Sequence, residues 1–438
     1  MLFLLNRQAG TVILRQTPYP EENQPSVNSD YVYLIDFDNH QVLYAVRADE
    51  QMYPASMTKI MSEILFIEHF TDLSQKIQIT DAMWVNLIEE NASVARFMIG
   101  DEPTVQDLLH GVVLPSGADA VQSLAVAGWG SIDAFVEVMN QKADELGMTN
   151  THFANPTGLH DDNHYSTAAD IAILLEYALN NPTFREILNT KVYKTGPLAS
   201  APEGLTLQST TWPFINNEDQ YFHIPGFLGG KSGFTNPAGR CFASHAEFNG
   251  MHLGLVTAHA ENLQHLEDAE TIYTWYSEHY ERRTLAEEGT ILKEADVTDT
   301  LPHVSLTFTF PETVSMDLPK DAVIEVNTSL PDTLQAPLKK DQTVGTVTIT
   351  ANGFPVYEGT LTSPEDVSYS SLMHAWNAVN AYRAAHPFAF WTILVLAVVF
   401  LLLIVRIIHV QIRRRIRRAR RAARRRAKQR ARSTKAGI

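Results

Sequence analysis

The sequence predicts an α+β protein: an antiparallel sheet covered by a helical cluster, then a small all-β domain and a C-terminal transmembrane helix. Three observations carry this reading. Strand-like segments bracket a long helix-patterned stretch, the segregated order that α+β architecture requires. After Glu288 the texture changes to short runs rich in β-branched and aromatic residues. Residues 387–405, PFAFWTILVLAVVFLLLIV, carry no charge.

Taken in order, residues 1–29 read as a leader and a linker rich in Pro, Asn and Ser. The opening MLFLL is shorter than a signal-peptide apolar region and has no small-residue cleavage site at the right distance, so either the true start lies upstream or export uses an unusual leader. The largest domain is expected over 30–287. Within it, YVYLIDFDNHQVLYA alternates around DFDNH as two strands and a turn. Residues 58–180 are mostly helical in pattern, interrupted by LPSGADA and ANPTGLHDDNHYS. From 221 to 258, GKSGFT, RCFASHAEF and MHLGLVTAH read as strands of one sheet, and 263–285 as a closing helix. VSLTFTF, AVIEVN, TVGTVTITA and FPVYEGTLT, separated by Pro, Asp and Gly, predict a β-rich spacer over 288–363. A helical stalk follows over 364–386, a transmembrane helix over 387–409 and a basic tail over 410–438.

Composition narrows the class. With 438 residues, 45% of them apolar, the chain can bury more than one core. The formal charge of −16 is unevenly spread: fifteen of the 34 Lys and Arg lie from Arg406 onward with no acid among them, leaving 19 basic against 50 acidic residues before that point. The body is therefore strongly acidic, which argues against nucleic acid as a partner. At 1.5 Å per residue the apolar run is about 28 Å long, close to the ~30 Å hydrocarbon core. The basic run behind it predicts a cytoplasmic tail that touches anionic lipid, with the catalytic domain extracytoplasmic. One cysteine, Cys241, permits no internal disulfide and reads as a buried small residue.

The chemistry begins at MYPASMTKIM, residues 52–61. Serine before an apolar run is a routine helix N-cap. A helix starting near Ala55 would also set Ser56 and Lys59 one turn apart on one face, with unpaired helix N–H groups available to an oxyanion. A serine nucleophile further needs a proton path to the leaving amine and a cation for an anionic substrate. LPSGADA offers Ser116 in a loop between helices, and GGKSGFT offers Lys231, Ser232 and Gly233 at the start of an edge strand. Gly233 either keeps the strand clear of a blocking side chain or marks a bulge.

Ser-x-x-Lys, a second serine loop and Lys-Ser-Gly in this order resemble the penicillin-recognising serine enzymes. YPASMTK, FVEVMNQKADELGMTNTHFANPTGL, HYSTAADIA and GGKSGFT together resemble, over roughly residues 30–285, the low-molecular-mass penicillin-binding proteins that act as D-alanyl-D-alanine carboxypeptidases. The resemblance implies a β-lactamase/transpeptidase-like catalytic domain, a peptidoglycan pentapeptide substrate, inhibition by β-lactam antibiotics, and no cofactor or metal. It makes Ser56 the acylated serine, Lys59 its base and Ser116 a proton relay. Lys231 and Ser232 would hold the terminal carboxylate, and the N–H groups of Ser56 and Phe234 the oxyanion. Two departures stand out. The usual Ser-Gly-Asn is here Ser116, Gly117 and Ala118, and alanine cannot bind an amide; the adjacent Asp119 is expected to point elsewhere. Where the family often has a carboxylate-binding arginine, the pairing puts His265, which reads either as substrate-binding or as a solvent-facing helix residue. A β-lactamase of related fold and a non-catalytic wall-binding protein are the alternative functions. Asn155, Pro156 and Gly158 read as a turn, Thr167 with Asp170 as a helix start, and His152, His160 and His164 as loop polarity rather than metal ligands.

Overall fold

The computed structural model describes residues 24–84, 87, 92–216 and 221–435, so most of the expected leader lies outside the described residues. It divides into two units. The first runs through Leu292 and takes in Thr309–Ser329 and Gly345–Leu361; the second comprises Lys293–Phe308, Leu330–Val344 and the chain from Thr362.

In the first unit, β1 (Tyr31–Asp36) and β2 (Gln41–Val46) form the expected hairpin around DFDNH. A 3₁₀ turn, Ala55–Thr58, runs into α1 (Lys59–His69). The cluster continues with α2 (Val105–Val113), α3 (Ala118–Trp129), α4 (Ile132–Glu145), α5 (Ala168–Leu179) and α6 (Pro182–Asn189). The expected cap Thr167 accepts from the Asp170 N–H, and Thr104, Ser131 and Asn181 likewise each accept from an N–H in the first turn of their helices. The helical expectation fails over 70–104, where the described residues hold only one short 3₁₀ turn, Asp81–Met83. The N–H groups of Ala95 and Phe97 instead donate to the buried Asp119 carboxylate, at 2.7 and 2.9 Å.

After the short pair β3 (Val192–Lys194) and β4 (Thr206–Gln208) come β5 (Phe227–Thr235), β6 (Gly239–Phe248) and β7 (Met251–Ala260), then α7 (Gln264–His279). The sheet order is β2-β1-β7-β6-β5, which leaves β5 at an edge. Both faces are covered, so β1 is apolar almost throughout: Ile35 joins the helical-cluster core, while Val32 and Leu34 join the core under α7.

The closing helix is shorter than expected. It ends at His279, and residues 280–286 form β8 (Tyr280–Ala286). Tyr280 is fully buried in an extended conformation, and the strand pairs with β11 (Val314–Pro319), which helical periodicity could not have revealed. The remaining strands are β9 (Ile291–Thr298), β10 (Val304–Thr309), β12 (Ile324–Thr328), β13 (Thr333–Gln335), β14 (Thr343–Ala351) and β15 (Phe354–Thr362). The sheet β12-β14-β15 belongs largely to the first unit and β10-β9-β13 to the second.

Arg282 on β8 ties the β1–β2 turn to β11. Its Nη1 donates to Asp38 at 2.8 Å, its Nε to Asp317 at 2.9 Å and its Nη2 to Asp36. Gln41 completes the junction by bonding both the N–H and the C=O of Asp317, at 3.1 and 2.9 Å. Burial, then the neighbouring Asp36, pushes the Asp317 carboxyl up to about 8.

In the second unit α8 (Ser371–Ala385) is held on one face by Asp299, which accepts from Asn377 at 3.1 Å and meets His374 Nδ1 at 2.9 Å. Its Leu372, Trp376, Val379 and Tyr382 are exposed. One continuous helix, α9 (Pro387–Lys435), follows, and its Pro387–Ala427 portion, with mean hydropathy 3.1 over its apolar window, is long and apolar enough to cross a membrane.

One buried acid sits oddly in this frame. Glu63 on α1 is fully buried, neither carboxyl oxygen has a partner among the described residues, and burial raises its pKa well above normal. A folded-state pKa raised this way contributes stability that is intact below the unfolded value of about 4.3 and lost as pH rises toward the folded value. Glu63→Met, nearly isosteric, should therefore raise stability at pH 7 by about 1–3 kcal/mol. Melting curves from pH 5 to 8 should show the gap between variant and wild type widening with pH, and a gap of zero would refute the assignment.

Candidate active site

Ser56 lies in the 3₁₀ turn Ala55–Thr58, just before α1. Three residues per turn align positions i and i+3, so Ser56 and Lys59 stand one above the other. Lys59 Nζ lies 2.9 Å from Ser56 Oγ. The turn is strained, with Ala55 at φ +46, and its shape is held from outside. Gly158, at φ +79, passes so close that a Cβ there would sit 1.9 Å from the Ala55 carbonyl oxygen.

The same crossing segment positions the lysine. Asn155 Oδ1 accepts from the N–H groups of Thr157 and Gly158 at 3.1 and 2.8 Å, and the Thr157 carbonyl accepts from Lys59 Nζ at 2.5 Å. Sequence reasoning found the turn but missed its contact with Lys59; a backbone carbonyl leaves no residue-type signal. Of the three loop histidines, His164 is buried and accepts from the Ala154 N–H at Nδ1, so its Nε2 donates to Thr58 Oγ1 at 2.7 Å. Burial lowers its pKa to about 4, which keeps it a neutral prop beneath the turn. His152 bonds the Asn163 carbonyl, and His160 packs edge-on to Tyr53.

Lys59 is 3% exposed, and its pKa falls well below the usual lysine value through burial first and then the charge of Lys231. Lys231 lies in the middle of β5 rather than at its start, and burial lowers it to about 7. Its Nζ donates to Ser116 Oγ at 2.9 Å and to the Ser232 carbonyl at 2.8 Å. Ser116 sits between α2 and α3 at φ +61. The fold thus sets two serine–lysine pairs, Ser56 with Lys59 and Ser116 with Lys231, near enough for the charge of Lys231 to act on Lys59. Two amines in a dry site cannot both stay charged, so one is available as a base.

Ala118 opens α3 and is 1% exposed, with its N–H on the Ser93 carbonyl at 2.8 Å. Asp119 is committed to the Ala95 and Phe97 amides, which removes it as a replacement for the missing asparagine. Gly233 has a steric reason: a Cβ there would lie 2.8 Å from Ser56 N and 3.0 Å from Ala55 Cβ. β5 therefore runs against the serine turn at Gly233. Ser232 Oγ meets Thr210 Oγ1 at 3.0 Å, a neighbour that no motif announced.

His265 is not solvent-facing. It is 3% exposed in the first turn of α7, edge-on to Phe242, and burial followed by Arg240 lowers it to about 4. Neutral at pH 7, it cannot supply a cation. Arg240, opposite Phe234 across β5 and β6, holds its guanidinium 4.6 Å over that exposed ring and has no carboxylate partner among the described residues. Cys241 is fully buried with its thiol pushed up to about 12, inert as expected.

The family model described as D-alanyl-D-alanine carboxypeptidase matches residues 19–262, and that of the penicillin-binding protein 5 C-terminal domain matches 280–369. The chain is similar to D-alanyl-D-alanine carboxypeptidase DacF of Bacillus subtilis, 30% identical over 354 residues that span 78% of this chain and 86% of that protein. Among solved structures it is similar to penicillin-binding protein 5 of Haemophilus influenzae, with TM-score 0.62 and 25% identity over 78% of this chain and 98% of that one. The Streptomyces K15 DD-transpeptidase aligns with TM-score 0.53 and 28% identity, over 57% of this chain and 98% of that one.

Proposed function

Because this chain belongs to the D-alanyl-D-alanine carboxypeptidase family of serine hydrolases, we propose that Ser56 is its nucleophile and that Lys59, Ser116 and Lys231 complete the catalytic group. One observation supports this most strongly: the Ser56 hydroxyl is 2.9 Å from an amine whose pKa burial and a second lysine lower well below the usual lysine value.

In this reading Lys59 takes the proton as Ser56 Oγ attacks the carbonyl between the two terminal D-alanines. The N–H groups of Ser56 and Phe234 receive the oxyanion. As the C–N bond breaks, the proton reaches the departing amine through Ser116, whose hydroxyl is turned to the amine side by Lys231. Water then attacks the acyl-enzyme with Lys59 again as base. Lys231 and Ser232 hold the substrate's terminal carboxylate, with Arg240 rather than His265 as the nearby exposed cation. The residues require no cofactor for these steps. A β-lactam follows the same first half, but its leaving amine stays tethered and the ester persists.

Intact-mass measurement after penicillin exposure tests the function. A persistent adduct, together with D-alanine release from a pentapeptide, is the expected result. Rapid loss of the adduct would favour a β-lactamase, and no adduct would favour the wall-binding alternative that Ala118 suggests.

The C-terminal apolar helix fits membrane association. We further read 30–287 as the catalytic domain, 288–363 as the spacer, 364–386 as the stalk, 387–409 as the span and 410–438 as a cytoplasmic tail, with everything before the span outside. Protease added to intact protoplasts should remove the body and spare the tail; a protected body would reverse the orientation.

A further inference from the structure

We propose that Thr210 is a positioning residue for recognition of the substrate's terminal carboxylate: its hydroxyl donates to Ser232 Oγ and so turns the Ser232 O–H toward the carboxylate. This rests on the catalytic reading above, which assigns that carboxylate to Lys231 and Ser232.

Thr210 lies in the loop between β4 and the 3₁₀ turn Trp212–Phe214. Hydrogen bonds on both sides fix that loop. The Ser209 N–H donates to the Lys191 carbonyl at 2.9 Å, and Ser209 Oγ accepts from the Thr211 N–H at 3.2 Å. The Thr210 N–H itself donates to the carbonyl of Leu114, two residues before Ser116, at 3.0 Å. Its backbone is therefore tied to the Ser116 loop, while its side chain reaches β5, where Oγ1 stands 3.0 Å from Ser232 Oγ. Just beyond, the Trp212 ring packs edge-on against Phe227 at the start of β5, with centroids 4.8 Å apart. One residue thus bridges the two walls of the proposed site, and its exposed side chain leaves the hydroxyl pair open to solvent and substrate.

Counting protons gives the direction of the bond. A hydroxyl has one proton to give and two lone pairs to accept with, whereas an ionised carboxylate only accepts. Ser232 can spend its proton on Thr210 or on the carboxylate, but not on both. With substrate bound, one arrangement satisfies all three groups: Thr210 O–H to Ser232 Oγ, and Ser232 O–H to the carboxylate. A hydroxyl that accepts one hydrogen bond is polarised to donate the next more strongly. Lys231 Nζ holds the Ser232 backbone meanwhile, donating to its carbonyl at 2.8 Å, so the remaining freedom is the hydroxyl rotor that Thr210 sets. Thr210 therefore acts through Ser232, without touching the substrate.

The test measures D-alanine release from a diacetylated lysyl-D-Ala-D-Ala peptide. Thr210→Val keeps the branched shape and the N–H on Leu114 but removes the hydroxyl. With its melting temperature unchanged, it should raise KM about three- to tenfold and leave kcat within about twofold. Thr210→Ser restores the donor and should keep both constants within about twofold of wild type. Ser232→Ala removes the group through which Thr210 acts, so adding Thr210→Val to it should change KM by less than about 1.5-fold. A KM unchanged or lowered by Thr210→Val, an equal effect in the Ser232→Ala background, or a Thr210→Ser protein as impaired as Thr210→Val overturns the positioning role and leaves the carboxypeptidase reading intact. No D-alanine release from the wild-type protein overturns the catalytic reading, and the role of Thr210 falls with it.

Discussion

Ser56→Ala should abolish covalent penicillin labelling and lower D-alanine release by at least about 10⁴-fold, equivalent to about 5.5 kcal/mol of barrier. On the proposed mechanism this hydroxyl forms the ester, and among the described residues no other serine has a lysine amine held one turn below it with a lowered pKa. Ser116 meets Lys231, but as an acceptor on the far side of the pair. The backbone turn does not depend on the hydroxyl: it is shaped by Gly158 crossing Ala55 and by the Thr58 bond to the Ala55 carbonyl at 2.8 Å. The variant should therefore melt with the wild type. Penicillin could still occupy the pocket reversibly, but intact mass should show no adduct. An adduct on a folded Ser56→Ala protein would mean that the nucleophile is another residue.

Arg282→Ala should cost about 3–5 kcal/mol of stability, because it strips the cation from buried carboxylates and leaves their desolvation uncompensated. Asp36 and Asp317 are both fully buried, and the guanidinium reaches each of them and Asp38 besides. Wild-type Asp317 already sits at about 8, so the junction holds one cation against carboxyls that resist sharing further charge. Without Arg282, whose charge and hydrogen bond lower it, the Asp317 pKa rises further. Stability then survives below the unfolded value of about 3.9 and is lost as pH climbs, so the deficit should be smallest near pH 4 and largest above neutrality. Urea unfolding of the detergent-solubilised chain at pH 4.5 and 7.5 measures both parts. Arg282→Lys, which keeps charge but loses the fork, should recover only part of the deficit. A loss under about 1 kcal/mol, the same at both pH values, would reduce the cluster to an ordinary surface pair.

Much of this protein could be read before any coordinates. The β1–β2 hairpin, the Thr167 N-cap and the apolar helix are local matters, decided by alternation, a capping side chain or an uninterrupted run of hydrocarbon. The Ser56 and Lys59 pairing is local too, since three residues of 3₁₀ turn bring the two together. Where reading failed, the competitor was a distant partner. The stretch 70–104 has helical-looking composition, but Asp119 takes its amides at Ala95 and Phe97. Residues 280–286 look like the end of a helix until β11 is there to pair with them.

The sequence by itself therefore determined the order of the family motifs, the acidic body and basic tail, and an apolar helix long enough to cross a membrane, because each is written in residue type and short spacing. Tertiary structure alone decided which groups carry charge and which residues touch. It buried Lys59 and Lys231 together, laid the Thr157 carbonyl on one of them, drew His265 out of solvent and left Arg240 exposed beside Phe234. The physical reason is that a pKa or a carbonyl contact depends on what the chain folds against from a hundred residues away, and desolvation has no signature in the residue that undergoes it.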